Sequence, residues 1–156
     1  MCVAAGGTHT ACVMEEGELY TFGNDEDGEL GLGRGGGMVH SPTQVNRLRY
    51  KRVVGVAAGD KHTAAVTVGG ELYTFGANAR FQLGFESRGD QKRISQPRRV
   101  EALSGRAVAM VACGDYHTVV LTRDGAALSF GGNRSGQLGR ETRRGASDAV
   151  PGEVRH

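Results

Sequence analysis

Residues 56–84 read VAAGDKHTAAVTVGGELYTFGANARFQLG. A histidine, a run of small and β-branched residues, a glycine pair and a second strand-like run ending in Phe-Gly stand in a fixed order. The same order occurs twice more without a gap: VAAGGTHTACVMEEGELYTFGNDEDGELG at 3–31 and VACGDYHTVVLTRDGAALSFGGNRSGQLG at 111–139. His9, His62 and His117 fall in register, as do Gly17, Gly70 and Gly125, Phe22, Phe75 and Phe130, Gly23, Gly76 and Gly131, and the Leu-Gly pairs at Leu30, Leu83 and Leu138. A proline follows each copy, at Pro42, Pro97 and Pro151. Self-similarity at a fixed period marks a repeat architecture and outranks any single motif.

Each copy reads as strands. An apolar run such as VVGVAAG comes first, and then a β-branched run, HTAAVTV or HTVVLT. A glycine turn and a third run, ELYTFG, follow; glycine turns between two such runs signal tight hairpins. A fourth strand is expected after the proline, in TQVNRL and RRVEAL. No stretch sustains a helical period. The chain holds 26 glycines in 156 residues, far above the usual share of about 7%, which agrees with many short strands and tight turns. The fold class is therefore all-β: tandem four-stranded antiparallel blades, about three blades of a β-propeller, an incomplete ring in one chain. The units fall at approximately 1–52, 53–106 and 107–156 of a single repeat domain. Ala4, Ala5, Ala57, Ala58, Ala112 and Cys113 suit an innermost strand, where blades crowd around the axis.

The motif AAGDKHTAAVTVGGELYTFGANARFQLG, and FGGNRSGQLG at 130–139, resemble the regulator of chromosome condensation repeat. The resemblance covers nearly the whole chain. It implies a β-propeller, usually of seven blades, and multidomain ubiquitin ligases and kinases carry such repeats. A chain that is nearly all repeat, with variability confined to one set of loops, reads first as a non-enzymatic protein-interaction scaffold. The founding member is a guanine nucleotide exchange factor for a Ran-type small GTPase, with an inserted wedge that this chain lacks. The chain also departs from the pattern. Phe22, Phe75 and Phe130 stand where tryptophan is common, and there is no tryptophan at all, which argues against ultraviolet sensing. Asp25 stands where Asn78 and Asn133 stand in the other units. Phe81 replaces Gly28 and Gly136. If that glycine needs a positive φ, the turn around Phe81 must differ from the other two.

Three units cannot close a ring. The chain reads as part of a larger propeller, or as an arc that completes a ring by self-association. Open stacks expose strand edges, which invite association.

The chemistry-bearing residues are weighed against the repeat. His9, His62 and His117 could be a three-histidine metal site, but equivalent positions in successive blades are rotated apart. A repeated side-chain hydrogen bond to a neighbouring turn explains them better, and no metal, cofactor or catalytic residue is expected. Gly31, Gly33 and Gly36 spell GxGxxG, yet GMVHSP follows, not a helix, so the dinucleotide fingerprint fails. Asn133-Arg134-Ser135 matches a glycosylation acceptor inside the repeat turn. Cys12 replaces Ala65 and Val120 and reads as a small core residue. The three cysteines, odd in number and without a CxxC pair, suggest a reducing compartment, cytoplasmic or nuclear. No secretory signal and no membrane span are visible.

Variability concentrates between each Leu-Gly and its proline. These segments should emerge on one face, and they carry Arg34, then Arg88, Lys92 and Arg93, then Arg140, Arg143 and Arg144. That mildly basic face is the candidate protein-partner surface. Nineteen basic and 17 acidic residues leave a net charge of +2, which does not by itself support nucleic acid or chromatin binding. RLRYKR at 47–52 is denser; it could touch phosphates around its tyrosine, but it fits better an outer strand whose cations block edge pairing.

Overall fold

The computed structural model describes residues 1–87, 89, 92–142 and 147–154. The first four-stranded sheet contains β1 (Cys2–Ala5), β2 (His9–Val13), β3 (Leu19–Asn24) and β4 (Met38–Gln44). The second contains β5 (Val53–Ala58), β6 (His62–Thr67), β7 (Leu72–Ala77) and β8 (Arg93–Arg99). The third contains β9 (Val108–Cys113), β10 (His117–Thr122), β11 (Ala127–Gly132) and β12 (Ser147–Glu153). Within each sheet the strands lie side by side in chain order and all neighbours are antiparallel. The three sheets form an arc of blades, not a closed ring.

The core lies between the blades. One cluster, with Ala11, Val13, Leu19, Leu48, Val53, Ala65 and Phe75, joins the first sheet to the second. Another, with Ala64, Val66, Leu72, Leu103, Val120, Leu128 and Phe130, joins the second to the third. A strand alternates its side chains between two faces, so Ala64 and Ala65 serve different neighbours. The small residues of β1, β5 and β9 line the inner edge, where β5 touches both β1 and β9.

The structure corrects three readings. The proline does not precede the fourth strand; Pro42, Pro97 and Pro151 sit inside β4, β8 and β12. Each falls at a register shift, between Thr21 and Gly23, Thr74 and Gly76, and Ser129 and Gly131 of the partner strand. An outermost strand at a bulge is where a residue without an N–H does least harm. The runs expected as fourth strands instead lead into short 3-10 turns, Asn46–Leu48 and Glu101–Leu103. RLRYKR is therefore not an outer strand: Leu48 is buried by that turn, and the rest is an exposed connector to β5.

The third correction concerns Phe81. Its φ is 61°, beside 82° for Gly28 and 74° for Gly136. The amide of the residue three places on bonds the carbonyl at each of these positions (Gly31 to Gly28, Gly84 to Phe81, Gly139 to Gly136). The turn around Phe81 is thus the same as the others. The hydrogen bonds of the turn impose a left-handed backbone on a bulky residue, at a cost of about 1–2 kcal/mol.

Candidate functional site

The recurring His-Thr dipeptide lies at the start of the second strand of each blade. His9 Nε2 is 2.7 Å from Thr63 Oγ1 in the next blade. Thr63 Oγ1 in turn donates to the carbonyl of Glu29, back in the first blade, at 2.7 Å. The second interface repeats this: His62 Nε2 is 3.0 Å from Thr118 Oγ1, which donates to the Gln82 carbonyl at 2.8 Å. A hydroxyl has one proton. Since the threonine gives its proton to a carbonyl, the histidine must donate from Nε2, and the ring is neutral with a bare Nδ1. Burial pushes the His9 imidazole down to about 4, against a smaller opposing pull from Asp60. Burial pushes His62 down to about 3, with His9 and His117 adding to the effect. His117, which meets no further blade, is lowered by burial with Asp115 opposing.

The glycine three residues before each histidine makes room for its ring. A Cβ on Gly59 would sit 2.3 Å from His62 Cε1, 2.4 Å from Nδ1 and 2.6 Å from the Gly114 carbonyl of the next blade. A Cβ on Gly6 would likewise meet the His9 ring and the Gly59 carbonyl. Nδ1 of His9 and His62 therefore faces backbone at close range, without a hydrogen-bond partner. No room is left there for an ion, and among the described residues no group of three His, Cys, Asp or Glu could hold a metal. The arrangement zips blades together.

A second recurring network closes the turn after the third strand. Thr21, Thr74 and Ser129 donate to the carbonyls of Leu30, Leu83 and Leu138 at 2.7, 2.8 and 2.7 Å. The amides of those leucines bond Oδ1 of Asp25, Asn78 and Asn133, each at 3.0 Å. Where asparagine stands, its amide also donates outward, Asn78 to the Phe85 carbonyl and Asn133 to the Arg140 carbonyl. Asp25 has no such donor. Burial raises its carboxyl, while the amides of Leu30 and Gly35 and the charge of Arg34 oppose the rise. The glycine-rich segment thus turns an N–H toward Asp25 where the other units turn a carbonyl. The glycines of the first two Leu-Gly pairs, Gly31 and Gly84, lie under the rings of Phe75 and Phe130 of the following blade, so a side chain there would displace the aromatic anchor of the interface. Gly23, Gly76 and Gly131 each have φ near 110° (114°, 107° and 109°), with a built Cβ under 3 Å from the backbone at the neighbouring histidine.

The basic residues of the variable segments are placed in different ways. Arg34 and Lys92 are exposed. Arg93 donates to the Glu26 carbonyl of the first blade at 2.8 Å. Arg140 is mostly enclosed, bonding Asp148 at 3.0 Å and the carbonyls of Ser129 and Val150, both at 2.9 Å. Arg88, Arg143 and Arg144 lie outside the described residues. Gly31, Gly33 and Gly36 all have positive φ, and β4 follows them. Cys113 is part-buried, and desolvation pushes its thiol up to about 12. Among the described residues no helix is long and apolar enough to cross a membrane.

One surface was not legible in the sequence. A groove of about 690 Å³ runs along the rim between the first and second blades, lined by Arg47, Lys51, Arg98 and Arg99. These cations come from two segments that approach only in the fold.

Comparison with known proteins adds the following. Residues 16–66 and 69–121 match the description regulator of chromosome condensation (RCC1) repeat, and residues 2–29, 53–82 and 108–137 match a second description of the same repeat. The chain is 40% identical over 158 residues to the RCC1 domain-containing protein RUG3, mitochondrial, of Arabidopsis thaliana, covering 97% of this chain and 34% of that protein. It is 41% identical over 142 residues to the human E3 ubiquitin-protein ligase HERC2, covering 90% of this chain and 3% of that protein. Human WBSCR16 superposes with a TM-score of 0.85 at 29% identity, over 98% of this chain and 37% of that one. Prp20p of Saccharomyces cerevisiae, studied for its binding to Gsp1p and histones, superposes with a TM-score of 0.86 at 20% identity, over 99% of this chain and 38% of that one. This last likeness is one of fold alone. The chain spans about a third or less of the length of these curated relatives.

Proposed function

The chain belongs to the regulator of chromosome condensation (RCC1) repeat family, and from that premise we propose that it is a non-enzymatic protein-interaction scaffold, one arc of a larger propeller. The observation that carries this reading is the use made of the recurring polar residues. His9, His62, Thr63 and Thr118 are all spent on holding blade to blade, which leaves variation to the loops and the rim. The loop face, with Arg34 and Lys92 exposed, is the first candidate for a protein partner. The test is charge reversal of Arg34, Arg88, Lys92, Arg143 and Arg144 against a partner identified by cross-linking. Loss of that partner supports the loop face; full retention removes it.

A second reading is nucleotide exchange on a small GTPase. A solved RCC1-type relative was studied for binding to Gsp1p, and that is its only specific support. Release of labelled GDP from a Ran-type GTPase tests it, and no acceleration eliminates it. In a third reading the chain is the propeller part of a multidomain ligase, as the likeness to HERC2 suggests.

The ends of the arc also suit self-association. The His117 side of one copy carries the donor half of the repeated interface, and the Thr10 and Phe22 side of another carries the acceptor half. Light scattering at rising concentration checks this: mass should climb above 16.4 kDa for the parent chain and stay there for Phe22→Glu. We infer an intracellular home. The cytoplasmic or nuclear reading rests on the cysteines, and the relative named as mitochondrial adds that compartment to the ones that imaging of a tagged chain should separate.

A further inference from the structure

The rim groove between the first two blades holds charge that the repeat does not require. One wall is the 3-10 turn with its connector, carrying Arg47 and Lys51; the other is β8, carrying Arg98 and Arg99. The groove opens into a second cavity of about 450 Å³, and the two share Arg47 and Gln96. Lys51 pairs with Glu71 at 3.2 Å, and Arg99 reaches Glu71 at 3.5 Å and Glu101 at 4.0 Å. Arg47 and Arg98 have no carboxylate partner among the described residues. The Arg98 guanidinium lies 4.1 Å over the centre of the Phe85 ring, which holds it in place with its hydrogen-bond fork unused. Four cations and two carboxylates give this one groove a net charge equal to the +2 of the whole chain.

The next interface serves as an internal control. At the positions equivalent to Arg47, Lys51, Arg98 and Arg99 stand Ala102, Arg106, Gly152 and Glu153. There the one arginine is closed off by Glu153 at 3.1 Å and Asp124 at 3.7 Å. Blades therefore pack without free arginines at this rim, and the architecture does not explain Arg47 and Arg98.

We propose that this groove binds an extended acidic peptide segment, with Arg47 and Arg98 taking its carboxylates. The guanidinium fork matches a carboxylate in two parallel hydrogen bonds. Tyr73, Ile94 and Pro97 give the groove an apolar floor on which the stems of peptide side chains can lie. A nucleic acid fits less well: with a net charge of +2 the chain lacks the wide basic surface that such binding uses. The groove adjoins the loop face, since Arg98 rests on Phe85 and the neighbouring cavity reaches Arg34; substitutions at Arg47 and Arg98 test it apart from those at Arg34 and Lys92.

The test uses the whole chain and a short fluorescein-labelled peptide of alternating Glu and Ser, read by anisotropy. Saturable binding is expected. The double substitution Arg47→Glu and Arg98→Glu should weaken it by about tenfold or more, whereas an equal charge change at exposed positions of the third blade, Arg123→Glu with Arg134→Glu, should leave it within about twofold once screening is matched. Should the first double variant fail to fold, Arg47→Gln and Arg98→Gln, made singly, carry the same test. Absence of saturable binding, an equal loss in the control pair, or displacement of the peptide by oligothymidylate at lower concentration than by unlabelled peptide would each overturn the proposal.

Discussion

The interface between the second and third blades and the outer face of the third blade are made of the same residues in different surroundings. His62 is fully buried and bonded to Thr118, while its equivalent His117 is part-exposed with no threonine beyond it. Val66 is 1% exposed, whereas Leu121 in the same position is 40% exposed. The opposite end tells the mirror story. Phe75 and Phe130 are wholly buried but Phe22 is not, and Val3 is 71% exposed where Val56 and Val111 pack against a neighbouring blade. Each end face is half of an interface, so the energetic role of a repeat residue is set by whether its neighbour is present.

That contrast can be broken residue by residue. The largest effect is expected for Phe130→Ala, about 4 kcal/mol, against about 1 kcal/mol for Phe22→Ala, whose ring lacks a preceding blade; urea melts of the two variants measure the gap. Gly59→Ala comes next, at about 3 kcal/mol. Its Cβ would meet both a ring and the backbone of the following blade, whereas at Gly114 the three nearest atoms all belong to the His117 ring, which can swing aside. Thr118→Val should cost about 2 kcal/mol, because it strands a buried N–H on His62 and the Gln82 carbonyl. Thr10→Val should change stability by less than about 0.5 kcal/mol.

The pH dependence sharpens the same comparison. His9 and His62 have folded values of about 4 and about 3, below the ordinary 6.5. The unfolded chain therefore binds protons first as pH falls. Stability should be level above about pH 6.5 and drop below it, by up to about 1.4 kcal/mol per pH unit for each buried histidine, until the folded values are reached. Melting temperatures between pH 7.5 and 5 record this, and His62→Phe should remove about half of the slope. A gain in stability, not a loss, is expected at Phe81. Phe81→Asn relieves the left-handed strain and should gain about 1 kcal/mol or less, net of the ring contacts it loses.

Much of this was legible in the sequence because the repeat speaks three times. The register of His9, His62 and His117 located the second strands, and the glycine turns located the hairpins. The partner of each histidine was not legible. Thr63 and Thr118 stand directly after a histidine in the sequence, yet each bonds the histidine of the preceding blade. Only the stacking of sheets reveals that offset. The fourth strand was misread because proline suggested a boundary, while a bulge on an outermost strand accommodates it in place. The rim groove was invisible for a similar reason: Arg47 and Arg98 lie far apart in the chain, and the near-neutral total charge hid their convergence.

The central claim is that the recurring histidine serves the joint between blades and not a reaction. A double-mutant cycle on His62→Phe and Thr118→Val tests it directly, at a concentration where the chain is a 16.4 kDa monomer. A coupling of about 1 kcal/mol or more is predicted at that pair, with His117→Phe and Thr10→Val additive in the same monomer. Additive effects at His62 and Thr118 would contradict the account.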